Sequence, residues 1–232
     1  MSAPAAVVVV VPARDEEQLV GACLDAVAHA ARALRAAHPE VRTHVVVVLD
    51  VCGDDTAAVV DRRPGVQVVT STAGNVGEAR ALGVEAASAW ASAAGGGRVW
   101  IASTDADSEV PAHWLLAQWR LAAQGHHLVV GTVTPRSSDL PPHVLAAWHA
   151  RHSSADGHEH VHGANLGFSL EAYCSVGGFA PLPAHEDVEL VESMRRAGLS
   201  HVATGAIDVT TSGRRVGRTP VGFAAYLDEL GA

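Results

Sequence analysis

The sequence predicts an α/β fold: one domain with a mainly parallel central sheet and helices on both faces. Three observations carry this expectation. Apolar, β-branched runs alternate with Ala-rich stretches of helical period, which gives β-α-β-α-β-α-β over roughly the first 105 residues. The strand-like runs are continuously apolar rather than alternating, as expected for strands covered on both faces. Acidic residues collect just after those runs, at the carboxyl ends where open parallel sheets bind ligands.

Each element follows in order. "AVVVVVPA" reads as the first strand, and "EEQLVGACLDAVAHAARALRAA" as a helix opened by Glu16 and Glu17. "THVVVVLD" is a second strand, and "DDTAAVVDRR" a helix with acids at its start. "VQVVTST" is a third strand, "VGEARALGVEAASAWASA" a long helix, and "GGGRVWIASTD" a turn and fourth strand. Beyond about residue 110 the pattern loosens. "HWLLAQWRLAAQ" reads as a helix, "HLVVGTVTP" as a strand and "PHVLAAWHARH" as a helix. "NLGFSLEAYCSVGGF" reads as strand, turn and short helix, and "EDVELVESMRRAG" as a helix with acids first and Arg last. Neither an internal repeat nor a linker divides residues 1–232, so a single domain is expected.

Composition narrows the function. The 16 basic residues are all Arg, so mechanisms that need a lysine, such as Walker P-loops and Schiff-base chemistry, are excluded. A formal net charge of −9 argues against a nucleic-acid partner. No apolar run approaches the ~18 residues of a membrane span, and no signal peptide is legible. A soluble, cytoplasmic protein without an integral membrane segment is the expectation. The three cysteines are far apart and read as free thiols.

Polar groups at the strand ends are the candidate site. "PARDEE" carries Pro12, Arg14 and Glu16, and Asp50 ends the second strand. "GNVGEARALG" supplies Asn75 and Arg80 without the GxGxxG order of a dinucleotide site. "STDADSEV" sets Asp105 and Asp107 two apart at a strand end, where both point to one side. The pair suits a hard divalent cation, which takes one or two carboxylates plus substrate phosphates. It suits equally a cap on the helix after Pro111. Glu186 and Asp187 fit either helix-start acids or a general base. "TTSGRRVGR" packs Arg214, Arg215 and Arg218 together, as a diphosphate clamp or a solvated basic turn. His158, His160 and His162 alternate in "DGHEHVHG", leaving a metal site and a polar acceptor loop both open.

The ordered set of PARDEE, Asp50, "GNVGEARALG", DAD, "GANLGFS" and HED, spanning residues 6 to 220, resembles the GT-A-fold glycosyltransferases of family 2, in particular small members without membrane helices. That resemblance implies an inverting, metal-dependent transfer from a nucleoside-diphosphate sugar to an acceptor hydroxyl. Residues up to about 110 would form the nucleotide-binding half and the rest the acceptor and base half. Pro12, Arg14, Glu16, Asp50, Asn75 and Arg80 would hold the nucleotide sugar with Asp105 and the three late arginines. Asp107, with Asp105, would bind Mg2+ or Mn2+, and Asp187 or its neighbour Glu186 would be the base. Gly163, Ala164, Asn165 and Trp148 would border the acceptor. Relatives often add a late His ligand, and the matching stretch "VTTSGRR" has none. A homodimer is compatible with this reading. A non-catalytic sugar-nucleotide-binding protein is the alternative, and a sugar-phosphate nucleotidyltransferase ranks below it because the first loop is acidic.

Overall fold

The structure is a computed structural model, and it describes residues 2–152, 154–217 and 222–231. Eight strands form one sheet in the order β3-β2-β1-β4-β7-β6-β8-β5. The parallel part is β1 (Ala6–Ala13), β2 (Arg42–Asp50), β3 (Val66–Ser71) and β4 (Val99–Ser103). β7 (Leu166–Ser169) runs antiparallel between β4 and β6 (Leu128–Pro135). β8 (His201–Thr211) then runs parallel to β6, and the two-residue β5 (Ser108–Glu109) closes the edge antiparallel to β8.

The valine runs explain why this sheet lies between two helical layers. Successive side chains of a strand point to opposite faces. Val7, Val9 and Val11 of β1 enter one core, while Val8 and Val10 enter the other. β2 divides in the same way, with Val47 and Leu49 on one face and Val46 and Val48 on the other. The first face is covered by α1 (Val20–Ala37), α2 (Thr56–Asp61) and α4 (Trp114–Ala123), with α5 (Pro142–Arg151) and α8 (Phe223–Leu230) further along. The second is covered by α3 (Val76–Ala93), α6 (Leu170–Ser175) and α7 (Glu186–Arg196). None of the helices among the described residues is long and apolar enough to cross a membrane.

Four elements differ from the sequence reading. α1 begins at Val20, not at Glu16, because the two glutamates are engaged with the second strand loop. The Glu16 N–H donates to Thr56 Oγ1, and Glu17 Oε2 accepts from the Asp55 N–H. The chain after the DAD motif forms the short β5, which was not anticipated, before α4 begins at Trp114, within one residue of its expected start. β8 and α8 were not anticipated.

α3 packs so closely on the sheet that Gly83 admits no side chain. A Cβ there would come within 2.4 Å of Val10 Cγ1 and 3.0 Å of Val48 Cγ2. Gly83→Val should therefore destabilise the fold by roughly 1–3 kcal/mol through overpacking. Urea unfolding measures this, and an unchanged midpoint would show that the α3–sheet contact is looser than described.

Candidate functional site

A cavity of about 610 Å³ opens outside the carboxyl ends of the parallel strands. Its walls include Pro12, Arg14 and Glu16 after β1, Asp50 at the end of β2, Arg80 on α3, and Asp105 and Asp107 after β4. Gly163, Ala164, Glu186, Asp187, Arg214 and the α8 side chains complete it from the second half of the chain. Three non-glycine residues among those described have positive φ: Asp15 (52°), Val51 (53°) and His185 (63°). Each adjoins a wall residue, namely Glu16, Asp50 or Glu186. Such strain persists only where the surroundings over-determine it, and it clusters at functional loops. At the first of these turns, Asp15 Oδ1 accepts from the Gly53 N–H at 2.7 Å, pinning the first loop to the second.

Arg80 is the structural centre of the site. Its side chain is buried and bridges three elements. Nε donates to Glu186 Oε1 on α7 at 2.9 Å, Nη1 donates to Ser103 Oγ on β4, and Nη2 donates to Asp105 Oδ1 at 2.5 Å. Burial opposes its charge, but Asp105, Glu186 and Asp187 outweigh that and raise its pKa. Gly163 makes room for it, since a Cβ there would lie 2.3 Å from Nη2.

The two DAD carboxylates contact different partners. The motif forms a turn in which the Ser108 N–H donates to the Asp105 carbonyl, so each side chain meets a different cation. Asp105 faces Arg80, whereas Asp107 Oδ2 lies 2.8 Å from Arg214 Nη2 and its Oδ1 accepts from Ser108 Oγ. Arg214 also reaches Glu16, at 2.6 Å and 2.9 Å. Burial pushes the Asp107 carboxyl up to about 6; Arg214 opposes the rise, and Asp105 and Glu16 add to it. The Arg214 pKa is also raised, with burial opposing and its two carboxylates outweighing it. Both shifts hold together because one guanidinium does not cancel two other negative charges and desolvation.

Glu186 and Asp187 differ in availability. Glu186 is 4% exposed and is committed to Arg80. Asp187 Oδ1 accepts from the adjacent Val188 N–H at 2.8 Å, and the Gly163 backbone also hydrogen-bonds its carboxylate, so it is held by backbone groups rather than by an arginine. Burial raises both pKa values, with Arg80 opposing.

Other expected site residues are placed as follows. Asp50 Oδ1 accepts from the Gly74 N–H at 3.0 Å, and Arg14 Nη1 reaches the Gly74 carbonyl. Asn75 caps α3 by accepting from the Glu78 N–H and donates to the Pro181 carbonyl, so it is not a cavity wall. Asn165 is fully buried. It accepts from Trp114 Nε1 and donates to the Thr132 and Ile207 carbonyls, holding β6, β8 and α4 together beneath the site. Arg215 pairs with Asp228 of α8, away from the cavity. Arg218 lies outside the described residues. Glu109 pairs with Arg136. Sequence reading missed Phe223, Tyr226 and Glu229 of α8 as walls, although Phe223, Leu227 and Leu230 follow helical spacing.

A side chamber of about 250 Å³ shares Val133, His152 and His162 with the main cavity. Trp148, a chamber wall, stacks on His152 with ring centroids 3.4 Å apart. His160 lies 4.6 Å from His152, and His158 is buried with neither ring nitrogen paired among the described residues. Burial, reinforced by His152, His160 and His158, pushes His162 down to about 3. Among the described residues no three His, Cys, Asp or Glu side chains form a ready metal-binding group, here or in the main cavity.

A family model described as Glycosyl transferase family 2 matches residues 8–165. No curated protein matches the chain. Among solved structures, S. aureus TarS 1-349 aligns with a TM-score of 0.59 at 12% identity, covering 99% of this chain and 69% of that one. GalNAc-T7 with UDP, GalNAc and Mn2+ aligns at 0.66 and 12% identity, covering 93% and 46%. The mannosyltransferase PcManGT from Pyrobaculum calidifontis, in complex with GDP-Man and Mn2+, aligns at 0.62 and 21% identity, covering 94% and 59%. The chain thus spans less than two thirds of the length of the latter two. At these identities the likeness is one of fold, the GT-A fold.

Two outcomes follow from this geometry. Arg80→Met should cost about 3–5 kcal/mol, because it strands Asp105 and Glu186 without their buried counter-charge. Chemical denaturation reads the loss, and a change under about 1 kcal/mol would show that the network relaxes freely. The second concerns pH. His162 is neutral in the folded protein, while the unfolded chain takes up its proton near the usual 6.5. Its effect is absent above 6.5, and stability falls as pH drops from there towards about 3. Melting temperatures across this range should fall less steeply for His162→Asn than for wild type; equal slopes would assign the acid sensitivity elsewhere.

Proposed function

Because the chain belongs to glycosyl transferase family 2, we propose that it is an inverting, metal-dependent glycosyltransferase that moves a sugar from a nucleoside diphosphate to an acceptor hydroxyl. The observation that carries this is one cavity in which Asp187 shares the walls with Asp105 and Asp107, donor-side and acceptor-side groups together. The Mn2+ and nucleotide ligands of the GalNAc-T7 and PcManGT structures support the same reading.

The residues present fit a divalent cation. Among the described residues the cavity walls carry seven acids (Glu16, Asp50, Asp105, Asp107, Glu186, Asp187 and Glu229) against Arg14, Arg80 and Arg214, a surplus of carboxylates. Asp107 supplies a hard oxygen ligand, and substrate phosphates complete such sites. Mg2+ or Mn2+ held there would neutralise diphosphate charge. Asp105 instead keeps Arg80 in place. Glu16, Asp50 and Arg14 border the nucleoside.

Asp187 takes the proton of the acceptor hydroxyl as that oxygen attacks the anomeric carbon. Its raised pKa makes it a better base than an exposed aspartate. The new C–O bond forms on the face opposite the diphosphate, the old bond to the phosphate oxygen breaks, and the configuration inverts. Negative charge on the departing diphosphate meets Arg214. Gly163, Ala164 and the α8 walls border the acceptor, with Trp148 behind them in the side chamber.

Asp187→Asn should reduce transfer at least ~100-fold, the lower end of general-base effects, with nucleotide binding retained. Steady-state kinetics and a binding titration together test this, and turnover within a few-fold of wild type would remove Asp187 as the base. Asp107→Asn should abolish the metal dependence of the remaining turnover, which a Mn2+ titration of rate reads directly. A variant whose rate still rises with Mn2+ as in wild type would exclude Asp107 as the ligand.

A further inference from the structure

Arg214 stands where the proposed metal ligand is. Its guanidinium bridges Asp107 Oδ2 at 2.8 Å and Glu16 at 2.6 Å and 2.9 Å, although the two acids lie 91 positions apart in the chain and on different strand loops. The Glu16 side chain is 6% exposed and that of Asp107 12%, so neither has water enough to stand uncompensated. The Arg214 side chain, at 27%, is the exposed member. It follows Gly213, whose N–H donates to Asp139 Oδ2, and its own N–H donates to Ser212 Oγ at 3.3 Å.

We propose that Arg214 is a displaceable counterion that competes with the divalent cation for Asp107. This rests on the reading of Asp107 as the metal ligand and adds a regulation to that site. A guanidinium and a metal ion do not share the same carboxylate lone pairs at contact distance, and both carry the positive charge that Glu16 and Asp107 require. The resident arginine therefore lowers the affinity of the donor-free site for metal. When donor and metal arrive together, Arg214 leaves Asp107, and its guanidinium, itself part of the cavity wall, is available to the diphosphate. Metal and nucleotide binding become positively coupled through this one side chain, since each removes part of the cost of moving it.

The test uses the metal alone. Mn2+ is titrated calorimetrically or by its electron spin resonance signal into wild type, Arg214→Gln and Arg214→Lys without nucleotide. Arg214→Gln should bind Mn2+ roughly tenfold more tightly than wild type, a shift the size of one partly screened charge pair. Arg214→Lys, which keeps the charge but loses the two-pronged fork, should fall between them. Near-ultraviolet circular dichroism confirms that each variant is folded. Folded Arg214→Gln binding Mn2+ no more tightly than wild type, including no binding by either, overturns the proposal. Failure of the donor reading shows itself separately, as a wild type that binds no nucleoside diphosphate, and leaves this comparison of metal affinities standing.

Discussion

The buried Arg80 guanidinium is the interaction on which the site depends. It arises on α3, in the half built from the parallel strands, and ends on Glu186, at the first turn of α7 in the other half. Between them it fixes Asp105 and Ser103 at the end of β4. A charge this deeply buried is tolerable only with its partners in place, so the same bonds that satisfy it also set the distance between the two halves of the cavity. The glycine at position 163 is a consequence, because any side chain there would meet the guanidinium. Asp187 inherits its position from this network as the neighbour of the committed Glu186.

Arg214 is the second cation and differs in kind. Arg80 is buried and locked by three elements, whereas Arg214 is partly exposed on the loop after β8 and, among the described residues, pairs with Glu16 and Asp107. One guanidinium serves the architecture and the other is positioned to move. The surplus of carboxylates around the cavity gives that movement a direction, since whatever replaces Arg214 must bring positive charge.

Much of the fold was legible in the sequence because strongly periodic segments report their own burial. The two valine runs and the 18-residue α3 emerged with nearly their observed bounds. The start of α1 did not, because Glu16 and Glu17 look like helix-opening acids until the second loop is present to use them. β8 mixes apolar and polar residues without clean alternation, and its role is defined by β6, some 70 residues earlier, with a register shift at Gly131/Thr132. Within the site, residue types were readable and their partners were not. DAD announced two carboxylates, but their division between Arg80 and Arg214 depends on side chains far away in the chain. Asn75 and Asn165 stood in suggestive motifs, yet their amides satisfy backbone groups that only the folded chain brings near.

The proposed activity requires that this cavity take a nucleoside diphosphate together with a divalent cation. A thermal-shift panel of UDP, GDP and dTDP, each with and without Mn2+, tests it most directly, because a ligand that binds only the folded state raises stability by RT ln(1 + [L]/Kd). At least one diphosphate should raise the melting temperature with Mn2+ and clearly less without it. No shift with any of the three in the presence of Mn2+, or the same shift whether or not the metal is added, would contradict it.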